Sequence, residues 1–142
     1  MACPGFSLHI SCRRIPLLFY SPALLPPAHH PEAVSQVDVL PTIAGLLLQP
    51  YTNSTLGRDL LDPIEKEHAA FIIYHAPGWI GVVNDDYFFR KNIRIQKEEL
   101  VPVKKDSLQL TFQQRDSVRK HLSELTSAMY ETSRWMLLHN HR

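Results

Sequence analysis

Charge is distributed so unevenly along this chain that it constrains the fold before any motif does. The 142 residues hold 15 Lys and Arg and 14 Asp and Glu, yet only Arg13, Arg14, Glu32 and Asp38 fall within residues 1–57. Side chains with so few charges belong inside something, because ionised groups are almost never fully buried unless paired. The first half therefore reads as the apolar half of a larger α/β unit, or as an interaction surface. The length suits one domain. The formal net charge of +1 gives no reason to expect nucleic acid as a partner.

The longest apolar runs, Ile15–Tyr20 and Ile43–Leu48, fall far short of the roughly 20 residues a membrane span needs. Arg13-Arg14 before an apolar stretch mimics a signal peptide, but Pro16 and Pro22 interrupt it and no clean cleavage site follows. Cys3 and Cys12 either close a small loop or remain free thiols.

Local patterns predict a short series of elements. Ile15–Tyr20, bounded by prolines, reads as a strand covered on both faces. Pro22, Pro26, Pro27 and Pro31 keep the next stretch extended. A helix is predicted over about 36–48, with Asp38 as its cap, Pro41 tolerated in the first turn and Pro50 stopping it. Strand, loop and helix together read as half of a βαβ unit. Gly57 suits a turn.

Ala69–Tyr74, Ile80–Val83 and Tyr87–Arg90 follow as strands of an antiparallel hairpin or meander, with Asn84-Asp85-Asp86 as a solvated turn. Ile93–Val103 can extend the sheet. The last segment is helical over about 115–138, with Val118, Leu122, Leu125, Met129 and Met136 on one stripe.

Three blocks in order carry a resemblance: Ile15-Pro16-Leu17-Leu18-Phe19-Tyr20-Ser21-Pro22, then Ser35-Gln36-Val37-Asp38-Val39-Leu40-Pro41-Thr42, then Gly57-Arg58-Asp59-Leu60-Leu61. The order resembles the C-terminal part of sulfatase-like enzymes of the alkaline phosphatase superfamily. The nearest look is to the lipoteichoic acid synthase and phosphoglycerol or phosphoethanolamine transferase branch. Ala128–Thr132 through Trp135–Leu138 looks like that branch's last helix. The resemblance covers 15–138; residues 1–14 lie outside it, and 139–142 form a tail.

The resemblance implies a partial alkaline-phosphatase-like sandwich and a parent enzyme that cleaves or transfers sulfate or phosphate esters. In such enzymes a hydroxyl on a divalent metal (Mn, Mg or Ca) attacks phosphorus or sulfur. The parent would sit at the bacterial cytoplasmic membrane with its catalytic domain outside. The family needs a Thr, Ser or modified Cys nucleophile and an Asp-His pair just before the first block. This sequence has no Asp-His dipeptide, and neither Cys3 nor Cys12 fits the family's C-x-P-x-R pattern. The expectation is a C-terminal section without nucleophile, metal ligands or cofactor of its own, whose partner is the missing N-terminal catalytic portion. The rival is a self-standing interaction module docking through its low-charge half. A third reading is a minimal site around His75 and Asp85.

Each candidate side chain has a plainer role. Asp38, Pro41, Thr42, Gly57 and Arg58 read as structural motif residues, with Arg58 anchoring its loop to Asp59 or Asp62, or contacting a phosphate. His75, at a strand end before Pro77-Gly78, is either a substrate contact or a hydrogen-bonded, partly buried histidine. Adjacent His29 and His30 point opposite ways on extended chain, which defeats a shared metal site with Glu32. His139 and His141 lack a positioned third ligand. Ser21, Ser35 and Ser54 have no nucleophile elbow or neighbouring base. Asn53-Ser54-Thr55 fits a glycosylation acceptor that matters only in a eukaryotic secretory setting.

Overall fold

The computed structural model describes residues 15–62, 68–73, 77–103 and 110–140. Four strands form an antiparallel sheet in chain order: β1 (Ala69–Ile73), β2 (Trp79–Asn84), β3 (Tyr87–Asn92) and β4 (Lys97–Pro102). The expected meander is therefore present, and Ile93–Val103 supplies its fourth strand. Short connections explain the order, since antiparallel neighbours need only a tight turn. Between β2 and β3 the Asn84 Oδ1 accepts from the amides of Asp86 at 3.1 Å and Tyr87 at 2.7 Å. Before β2, Gly78 adopts φ +79°, a conformation that favours glycine.

Alternation then sorts the side chains. Phe71, Val82, Phe89 and Leu100 stand opposite one another across the four strands. The long helix α2 (Phe112–His139) lies over that face. Its Leu122 joins Ala69, Val82, Tyr87 and Phe89 in the core, with Val118, Leu125 and Met129 packed beside them. The predicted stripe thus faces the sheet. The helix begins at Phe112 because Thr111 and Gln114 form a capping box: Thr111 N–H donates to Gln114 Oε1 at 3.0 Å. Lys91 of β3 donates to the Ser123 carbonyl at 3.0 Å and to the Ser127 hydroxyl, pinning the helix across the strands. On the opposite face, Ala70 and Phe88 are also buried. There Arg90 lies over the Trp79 ring at 4.5 Å and donates to Glu99 Oε2 at 2.6 Å.

The helix predicted at 36–48 is a 3-10 turn (Gln36–Asp38) followed by α1 (Val39–Leu46). It ends where Leu48 turns to φ 51°, two residues before Pro50. One expectation fails. Ile15–Tyr20 forms no strand: Ile15 is 73%, Leu18 84% and Tyr20 85% exposed. A strand needs a neighbour to take up its amides and carbonyls. The pairings in the sheet are β1 with β2, β2 with β3 and β3 with β4, so this segment has no strand partner among the described residues and no βαβ half-unit forms.

Candidate functional site

The motif residues converge on one buried polar joint. Ser35 and Asp38 are three apart, the spacing of a capping box. The Ser35 amide donates to Asp38 Oδ2 at 2.7 Å, closing the entry to the 3-10 turn. The other carboxylate oxygen reaches across the chain. Asp38 Oδ1 accepts from the Arg58 amide at 3.0 Å, twenty residues away. Asp38 thus stands at the N-cap position of α1 as expected, yet its carboxylate does not bond the first-turn amides. It is 1% exposed, and both oxygens are taken by main-chain donors.

Thr42, one helical turn on, completes the joint. Its hydroxyl donates to the Asp38 carbonyl at 2.6 Å and accepts from the Leu60 amide at 3.0 Å. Pro41 is buried beside it in α1. Two glycines permit the close approach. A Cβ on Gly57 would lie 1.9 Å from the Val37 carbonyl oxygen, and one on Gly45 would lie 1.9 Å from Asp59 Oδ2. Gly57 is required by this contact rather than by a positive φ. Arg58 Nη2 donates to the Ala69 carbonyl at 3.3 Å, which ties the joint to the first residue of β1.

A shallow cleft of about 310 Å³ opens beside the joint, between Ser35, Ser54 and Thr55 on one side and Phe71, Ser133 and Asn140 on the other. Its polar groups are largely engaged within the chain. Thr55 Oγ1 donates to Asn53 Oδ1 at 2.8 Å and accepts from the Gly57 amide at 3.0 Å. Ser133 Oγ donates to the Met129 carbonyl at 2.7 Å, and Asn140 Nδ2 to the Ser54 carbonyl at 3.0 Å. No base stands beside any of these hydroxyls in those bonds. The cleft can seat an apolar or weakly polar group.

The remaining candidates are scattered. His30 Nδ1 lies 3.7 Å from Glu32 Oε2 on an exposed segment. Among the described residues no group of three His, Cys, Asp or Glu could hold a metal ion. His139 Nδ1 lies 2.7 Å from the Trp135 carbonyl, and its ring stacks on that indole. Cys3, Cys12, His75 and His141 lie outside the described residues. Asp85 is not the solvated tip expected of it: its Oδ1 accepts from the Ala33 amide at 2.6 Å and anchors the proline-rich segment to the sheet. Among the described residues, no helix is long and apolar enough to cross a membrane.

Sequence reasoning missed the two long-range bonds of Asp38 and Asp85. The Ser35-x-x-Asp38 spacing was a legible sign that this carboxylate faces backwards. No local signal marked the Arg58 or Ala33 amides as partners.

No protein-family model, curated protein or solved structure matches the chain.

Proposed function

We propose that this chain is the C-terminal section of a sulfatase-like domain of the alkaline phosphatase superfamily, in the lipoteichoic acid synthase and phosphoglycerol or phosphoethanolamine transferase branch. Its role there is scaffold, not catalyst. One observation carries this reading. The V-D-x-L-P-T and G-R-x-L-L blocks, which the resemblance picks out separately, are hydrogen-bonded to each other through Asp38 and Thr42. The chemistry of these motif side chains is consumed by holding the backbone, which is what a supporting segment supplies.

On this reading the parent cleaves or transfers a sulfate or phosphate ester with a divalent metal, Mn, Mg or Ca, held by residues of another portion of the domain. That N-terminal portion is the partner of this chain. The sheet and α2 form one flank of an alkaline-phosphatase-like sandwich, outside the bacterial cytoplasmic membrane. The test is the coding sequence upstream of Met1, read in all frames. An Asp-His pair and a Thr, Ser or Cys nucleophile motif are expected there; a readable upstream region with neither rejects the assignment.

A second reading, a self-standing interaction module, draws on the exposed apolar side chains Leu18, Leu40 and Leu47 in the low-charge half. A monomer that melts cooperatively and stays soluble by itself favours it.

A further inference from the structure

We draw no further inference here: the strongest candidate, the cleft between β2, β3 and α2 lined by Ile80, Lys91, Ile93, Tyr130 and Arg134, has its two cations engaged within the chain, Lys91 on the Ser123 carbonyl and the Ser127 hydroxyl and Arg134 on Glu131, and nothing in the structure points to a ligand for it.

Discussion

Replacing Thr42 with valine removes the hydroxyl at the centre of the joint while keeping the shape of the side chain. Thr42 is 0% exposed, so nothing from solvent can take over its bonds. Its Oγ1 is the acceptor for the Leu60 amide at 3.0 Å and the donor to the Asp38 carbonyl at 2.6 Å. Leaving a buried amide unpaired costs about 1–3 kcal/mol. Taking about 2 kcal/mol for the substitution, and about 2–4 °C per kcal/mol for a chain of this size, Tm should fall by about 4–8 °C. Thr42→Ser is the control. It keeps the hydroxyl and loses one buried methyl, about 0.8 kcal/mol. Urea unfolding followed by circular dichroism should rank the proteins as Thr42, then Thr42→Ser, then Thr42→Val, with the slope m unchanged. Amide exchange at Leu60 should accelerate most in the valine variant. A valine variant at least as stable as the serine variant would refute the claim that this hydroxyl holds the two motif blocks together.

Gly57→Ala places a Cβ against the Val37 carbonyl oxygen, a backbone atom that can yield only if the loop moves. A loss of about 1–3 kcal/mol is expected, as for other overpacked sites; a variant with an unshifted urea midpoint would show that the loop has slack. Glu99 gives a pH prediction. Burial pushes its carboxyl up, but hydrogen bonds and charge from Arg90 and Lys97 outweigh this and hold it below the ordinary value. The stabilisation is therefore present above the unfolded value of about 4.3 and fades as pH falls through the lowered folded value. As pH falls from the unfolded value towards the lowered folded value, Glu99→Gln should lose stability less steeply than the unsubstituted chain, and parallel acid limbs across that window would count against the Arg90–Glu99 pair.

The sheet and the long helix were legible because their signals are local. Tyr87-Phe88-Phe89 after Asn84-Asp85-Asp86 is a strand after a turn whatever surrounds it, and the stripe from Val118 to Met129 needs only a 3.6-residue period. The segment Ile15–Tyr20 was misread for a physical reason. Its apolar, proline-bounded pattern specifies burial on both faces but says nothing about who supplies the neighbouring strand, and no described residue does. The joint was legible only in part. Asp38 was recognisable at the start of a helix, but its bond to Arg58 spans twenty residues and has no periodic trace in the sequence. Gly57 looked like a turn glycine, whereas the structure uses it for a close backbone approach. Asp85 looked like a turn residue, and its reach to Ala33 depends on where the proline-rich segment settles.

The scaffold role is tested most directly by ester turnover measured on two proteins side by side. One is residues 1–142, and the other is the same chain preceded by the residues encoded upstream of Met1. Each is assayed with Mn²⁺, Mg²⁺ or Ca²⁺ on an aryl sulfate and on a phosphodiester. Metal-dependent turnover by the lengthened protein and none by residues 1–142 is the predicted result. Metal-dependent turnover by residues 1–142 alone would contradict it.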